Sequence, residues 1–329
     1  MKRSFNALLL AFIGSFFFTQ TALSQSGSSI SDYPNKPIRL INPLGTGGTA
    51  EALARTAAKA LTDQLGQPVV VEVKTGAAGT IGADYVAKSA PDGYTLLYGV
   101  TGTNTIAPSL YKLPYDPIKD LTPITIAFAG PNVLLVNQTM GINHLKELIA
   151  SAKSKPNQLS FASAGNGSMS HLNGELLKQY ANIDLLHVPY KGGGAAVPDL
   201  LSGRVSMMIE TSSGVMPLLR TGRVKALAVT SLQRSPLLPD VPTFAELGFP
   251  GIYSVVWGGL FAPAGTPKVI LEKIHNAIVQ ENKDATYKEM VTSMNNEAVS
   301  LTPDEFRTYV NEDMKKYSEI VKRINLKLD

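Results

Sequence analysis

Short apolar runs alternate with helical stretches over the first third of the chain. Ile38 to Ile41, Val69 to Val73 and Leu96 to Gly99 have the composition of strands, and the β-branched run Val69 to Val73 is typical of a buried parallel strand. Glu51 to Leu65 and Gly82 to Ser89, which lie between these runs, have the apolar spacing of helices. This order predicts a parallel sheet with helices on its faces.

The same alternation then restarts, and it ends in a helical section. Further strands are predicted at Val133 to Val136, Leu159 to Ala162, Leu185 to Val188, Val205 to Ile209, Ala226 to Val229 and Val256 to Ala262. The last helices are predicted at Lys268 to Asn282, Ala285 to Asn295 and Pro303 to Lys322. We therefore expect an α/β fold with mostly parallel sheets, in two lobes that face each other across a ligand site. Residues 33–130 and 254–329 would form lobe 1, and residues 131–253 lobe 2.

The first residues have the pattern of an export signal. Lys2 and Arg3 precede the apolar run Ala7 to Phe18, and the small residues Ala22 and Ser24 follow it. This predicts a signal peptide over residues 1–24 and a mature protein in the periplasm. The alternative is a membrane anchor, but the run is shorter than the ~20 residues that a spanning helix needs. No later segment is long and apolar enough to be embedded in a membrane.

The composition excludes several kinds of binding site and one class of partner. The chain of 329 residues has no cysteine, which excludes disulfides, thiolate metal sites and a lipidated cysteine. The formal net charge is +4, and basic and acidic residues are interspersed along the chain. Nucleic-acid binding would need lysines and arginines clustered on one face, so no nucleic acid is expected as a partner.

Two glycine-rich loops, Pro43 to Ala50 and Ser163 to Ser170, each follow a predicted strand and precede a helix. Glycines let backbone N–H groups approach a ligand, and the helix start behind them adds donors and partial positive charge. Such loops suit a carboxylate. The candidate ligand-binding residues are Thr46, Gly47, Gly48, Thr49, Ser163, Ala164, Gly165, Gly167 and Ser168, with His171, Tyr190 and Thr211 bordering the site.

Other interpretations of these residues are weaker. The spacing Gly45-x-Gly47-x-x-Ala50 with Glu72 downstream resembles a dinucleotide fingerprint imperfectly. His171, Glu175 and His187 suggest a metal, but no recognisable ligand spacing completes the set. Ser163 or Ser168 with His171 matches no hydrolase motif and lacks an orienting acid. We therefore expect no metal, no cofactor and no catalysis.

In combination, ten segments resemble the Bug, or TctC-type, solute-binding receptors of tripartite tricarboxylate transporters. They are Tyr33 to Arg39, Pro43 to Arg55, Leu65 to Glu72, Gly76 to Asp84, Ala90 to Leu96, Leu113 to Pro117, Ser163 to His171, His187 to Gly192, Arg234 to Gly248 and Ala262 to Pro267. The resemblance implies a two-lobe periplasmic-binding-protein fold (Venus flytrap, type II). It implies a di- or tricarboxylate or aromatic carboxylate ligand, delivered to TctA/TctB-like membrane subunits. A signalling receptor and a secreted enzyme are the alternatives.

The sequence departs from the family pattern around the first loop. Glu51 stands where an aspartate is usual, and an acid there meets the ligand amine in amino-acid-binding relatives, so Glu51 joins the candidate ligand-binding residues. Val73-Lys74-Thr75 replaces Asn-Arg-Pro, and Gly45-Thr46 replaces a second proline. The ligand's identity therefore does not follow from the resemblance.

Overall fold

The computed structural model describes residues 32–46 and 49–326, in which strands and helices alternate. The strands are β1 Ile38–Asn42, β2 Val69–Val73, β3 Thr95–Val100, β4 Leu121–Asn137, β5 Ser160–Ser163, β6 Leu186–Pro189, β7 Met207–Thr211, β8 Val224–Val229, β9 Val255–Pro263 and β10 Glu297–Ala298. The helices are α1 Thr49–Leu65, α2 Thr80–Ala87, α3 Ala107–Leu110, α4 Leu145–Ser154, α5 Met169–Ala181, α6 Gly193–Ser202, α7 Ser212–Leu219, α8 Lys268–Glu281, α9 Ala285–Ser293 and α10 Pro303–Arg323. None of the helices in these ranges combines the length and the apolar character that crossing a membrane requires.

Local sequence explains where the main helices begin. The Ser168 side chain accepts the backbone N–H of His171 and caps α5. Thr302 and Glu305 form a reciprocal capping box at the start of α10, where the acids Asp304 and Glu305 also favour the helix dipole. These caps satisfy N–H groups that have no partner within the helix.

One end of the molecule is built on a sheet that we call the first sheet. In it β1 pairs in parallel with β2 and β3, and β3 pairs antiparallel with β9. The strand β9 then pairs antiparallel with β4 from Leu121 to Pro131. The carboxyl ends of β1, β2 and β3 therefore share one edge, where the first glycine-rich loop begins.

The strand β4 continues from the first sheet into a second. From Asn132 to Val136 it pairs antiparallel with β7, and from Val133 to Asn137 with β8. The strand β5 pairs in parallel with both β6 and β7, which completes the second sheet. The carboxyl ends of β5, β6 and β7 share an edge at which the second glycine-rich loop begins.

The expectation of mostly parallel sheets was wrong in detail. Among the described strands four pairings are parallel, namely those of β1 with β2 and β3 and those of β5 with β6 and β7. All pairings that involve β4 or β9 are antiparallel. The strand β4 enters both sheets and β9 lies beside it in the first, so each sheet contains antiparallel as well as parallel pairs.

Buried apolar side chains form a cluster under the first sheet and one on each face of the second. Trp257, Phe261 and Phe306 lie in the first-sheet cluster, and Phe161 and Leu176 in a second-sheet cluster. The predicted lobe boundaries at residues 130/131 and 253/254 stay a prediction. The predicted signal peptide lies outside the described residues.

We predict that Gly259→Ala destabilises the fold. A Cβ at this position in β9 would lie 2.5 Å from the ring of Phe306, which is fully buried, and 3.0 Å from the backbone oxygen of Thr125. Overpacking of this kind costs about 1–3 kcal/mol. Urea denaturation should show a lower midpoint for this variant. Gly194→Ala is the control, because a Cβ there meets nothing within 4 Å. Equal midpoints for the two variants would contradict this account of the packing.

Candidate ligand-binding site

Three loops meet at the carboxyl edge of the first sheet. A Cβ added to Gly82 would lie 3.0 Å from Pro43 Cα, so α2 packs against the start of the first loop. The hydroxyl of Thr103, in the π-helical turn Gly102–Ile106 after β3, donates to the Ala78 carbonyl at 2.9 Å. The first loop therefore packs against the segment that follows β2, and a hydrogen bond joins that segment to the one that follows β3.

The segment after β2 has a strained backbone that the sequence did not single out as part of a site. Ala77 and Ala78 have φ values of 46° and 54°, between Gly76 at 127° and Gly79 at 89°. Non-glycine residues in this region cost of order 1–3 kcal/mol and persist where their surroundings hold them. The only signal in the sequence was the pair of glycines that flank the alanines.

The predicted residues in and after the first loop differ from one another in exposure and in bonding. Thr46 is exposed, and Thr49 is the first residue of α1. Gly47 and Gly48 lie outside the described residues. Glu51 is largely buried, and its carboxylate accepts hydrogen bonds from Arg55 Nε at 3.0 Å and Nη2 at 2.5 Å. Its charge is therefore engaged within α1 itself.

The second loop is organised around the hydroxyl of Ser163. This side chain is fully buried at the end of β5. Its Oγ donates to the Gly165 carbonyl at 3.2 Å and accepts the Gly165 N–H at 3.1 Å. It also lies 2.6 Å from Nε2 of His187 on β6. Ser163 thus holds the loop in shape from underneath. The prediction that it touches the ligand stays a prediction.

The rest of this loop is fastened to the first turn of α5. The Ala164 N–H donates to Ser170 Oγ at 2.9 Å, and Ser168 Oγ lies 3.0 Å from the same oxygen. The Gly167 N–H donates to His171 Nδ1 at 3.1 Å. Since Nδ1 accepts, the proton of neutral His171 is on Nε2. These bonds bring the predicted residues of the second loop into one rigid turn.

Two neutral imidazoles stack on each other and contact the residues of this turn. The rings of His171 and His187 stack with centroids 3.8 Å apart, and Phe161 stacks on His187 at 4.8 Å. Burial lowers the pKa of both histidines to about 4, and the positive charge of Lys178 acts in the same direction. Both rings are therefore uncharged at neutral pH.

The loop between β6 and α6 runs beside the second glycine-rich loop. The Tyr190 N–H donates to the Ser163 carbonyl at 3.0 Å, and the Gly192 N–H donates to that of Ala164 at 3.1 Å. The Tyr190 hydroxyl donates to Asp199 on α6 at 2.7 Å. The backbone of Tyr190 is therefore at the predicted site, while its hydroxyl is bonded within its own half of the fold.

The two edges approach each other at Gly214. A Cβ on Gly214, in the first turn of α7, would lie 3.2 Å from Thr211 Oγ1 and 3.6 Å from Thr49 Oγ1. The Thr211 side chain makes no capping hydrogen bond to α7. Ser212, the first residue of this helix, donates to the Asn295 carbonyl at 2.8 Å. The structure therefore brings Thr49, from the edge of the first sheet, close to Thr211, from the edge of the second.

The residues that suggested a dinucleotide or a metal site have other partners in the structure. Glu72 pairs with Arg39 on the neighbouring strand at 2.7 Å. His171 Nε2 lies 3.9 Å from Glu175, but no group of three or more metal-binding side chains occurs within residues 32–46 and 49–326. Glu210, at the end of β7, is a residue at this edge that sequence reasoning missed.

A comparison of this chain with protein families identifies the family to which it belongs. Residues 53–326 match the model of the tripartite tricarboxylate transporter family receptor, TctC. The chain belongs to the TctC family. The curated protein BugT of Bordetella pertussis is 37% identical over 322 residues, which is 97% of this chain and 98% of BugT. The resemblance seen in the sequence is thereby confirmed.

Solved structures of TctC-like proteins share the fold. The structure of the periplasmic binding protein BugD has a TM-score of 0.81 and 35% identity, and the match covers 90% of this chain and 99% of BugD. An R. palustris protein solved with adipate has a TM-score of 0.85 and 31% identity, over 90% and 99% of the two chains. The predicted α/β two-lobe class is confirmed, and the family is one of periplasmic solute-binding receptors.

We predict that the histidine pair makes stability depend on pH. The folded-state pKa of about 4 is below the ordinary value of 6.5. Between those values the unfolded chain binds more protons, so stability falls as the pH falls. The loss should be up to about 2 kcal/mol for each histidine between about pH 7 and pH 5. Chemical denaturation at both pH values measures it. His187→Gln should show a smaller loss, and an equal loss in both proteins would contradict the assignment.

Proposed function

We propose that this chain captures a small carboxylate between its lobes and delivers it to the membrane permease of a tripartite tricarboxylate transporter. A di- or tricarboxylate or an aromatic carboxylate is the ligand class. The proposal includes export by the signal peptide over residues 1–24, transfer to TctA/TctB-like subunits, and release of the ligand without chemical change.

The approach of Thr49 to Gly214 and Thr211 is the observation that carries the proposal. It brings the start of α1, which follows the first loop, close to the start of α7 at the edge of the second sheet. Helix starts offer backbone N–H groups and partial positive charge, which hold a carboxylate without a salt bridge. The adipate in the R. palustris relative supports the same ligand class.

Internal bonding of the second loop supports recognition by a preformed surface. Ser163, His171 and His187 hold the turn in shape through contacts within the protein. A preformed loop loses less conformational entropy on binding than a mobile one does. In the proposal these residues position the backbone donors of Gly165 and Gly167, and closure of the lobes completes the contacts.

A thermal-shift screen of the mature protein tests the function. Mono-, di- and tricarboxylates, including amino and hydroxy forms, would be compared with neutral sugars. A ligand at a hundred times its dissociation constant adds about 2.7 kcal/mol of stability, which raises the melting temperature visibly. The bound compound should be recovered unchanged. Stabilisation by none of the carboxylates would refute the proposal, as would turnover of the ligand. Uptake that survives deletion of the binding protein would favour a signalling receptor.

Replacement of Thr49 tests the place of binding. Thr49→Val keeps the shape of the side chain but removes its hydroxyl. If this hydroxyl contacts the ligand, the loss of about 1 kcal/mol should weaken affinity about fivefold. Calorimetric titration measures the change. Thr56→Val on the same helix is the matched control, because the Thr56 hydroxyl is exposed and donates to the Ala52 carbonyl. Equal affinities for both variants would remove Thr49 from the site.

A further inference from the structure

A buried carboxyl oxygen at the second-sheet edge has no hydrogen-bond partner. Glu210 is the penultimate residue of β7, and its Oε1 accepts the backbone N–H of Thr211 at 2.9 Å. The side chain as a whole is partly exposed, but Oε2 is buried and unpartnered among the described residues. Burial raises the pKa of this carboxyl group, and the hydrogen bonds from Thr211 oppose that shift.

A glycine on α6 leaves space for this carboxyl group, and a glycine on α7 lies beside its side chain. A Cβ on Gly193, the first residue of α6, would overlap Glu210 Oε2. A Cβ on Gly214 would lie 3.8 Å from Glu210 Cγ and 3.6 Å from Thr49 Oγ1. Glu210 therefore lies at the place where the first loop approaches the second sheet, which is the ligand site of the proposed function.

We propose that Glu210 determines ligand specificity by accepting a hydrogen bond at Oε2 from an amino or hydroxyl group of the bound carboxylate. This inference rests on the proposed function and narrows it to amino- and hydroxycarboxylates. A buried acceptor without a partner is costly, and a ligand that carries a donor removes that cost. When Glu210 is ionised, a ligand that presents a second carboxylate there meets a like charge, whereas a ligand ammonium group favours the ionised form. Sites built to bond a ligand OH or NH group reject analogues that lack it.

The backbone of Thr211 makes one variant especially informative. Because the Thr211 N–H donates to Oε1, it needs an acceptor at that position. In Glu210→Gln the amide oxygen would occupy the Oε1 position, and the NH₂ group would then occupy that of Oε2. The variant therefore places a donor where the wild type has an acceptor, with almost no change in shape.

The test compares matched ligands by calorimetric titration with the mature protein. The triples are propionate, lactate and alanine; succinate, malate and aspartate; and glutarate, 2-hydroxyglutarate and glutamate. Within the triple that fits best, the wild type should bind the amino or hydroxy member about tenfold or more tightly than the plain acid. Glu210→Gln should lose this preference and bind the plain dicarboxylate at least as well as the wild type does.

The controls separate the possible failures. Glu289→Gln removes the same charge from an exposed glutamate on α9 and should keep the wild-type preference. A melting temperature for Glu210→Gln near that of the wild type shows that the variant is folded. A wild type that prefers the plain acid, or a preference that survives in Glu210→Gln, overturns this inference and leaves the proposed function intact. Binding of no carboxylate in any triple overturns both.

Discussion

The strand β4 is the constraint on which the rest of the structure depends. It belongs to the first sheet up to Pro131 and to the second from Asn132 onward, so it fixes the direction of both. At this junction the Asn132 N–H donates to Thr230 Oγ1, and Asn132 Nδ2 donates to Ser254 Oγ. Ser254 in turn donates to Asn173 on α5. Buried polar groups need such partners, and these bonds fasten the junction to the segments on both sides.

Much of the architecture followed from the periodicity of apolar residues, because helix and strand periods are local properties. The first half of β4 was missed, since Pro123, Gly130 and Pro131 are residues typical of loops. Their place in a strand depends on pairing with β9, which lies more than a hundred residues away. The helix α7 was also missed, because its sequence begins with hydroxyl residues and contains Pro217.

The site was predictable as two loops but not as a network. Glycines, hydroxyls and the strand–loop–helix order marked Thr49 and Ser163 as candidates. The side-chain partner of Ser163 is His187, on a different strand, whereas His171 was the histidine considered as a partner for Ser163 and Ser168 and then rejected. Glu210 was overlooked for a related reason. One of its carboxyl oxygens packs against Gly193 of α6, which the fold brings to it from a different element.

The C-terminal helix has a consequence for how the molecule unfolds. Phe306 and Val310, near the start of α10, belong to the cluster under the first sheet. Tyr317, Ile320 and Val321, farther along the same helix, belong to a cluster on the second. Neither sheet can lose its core packing without exposing part of this helix. The two halves are therefore coupled energetically through this helix, although the proposed ligand site lies between them.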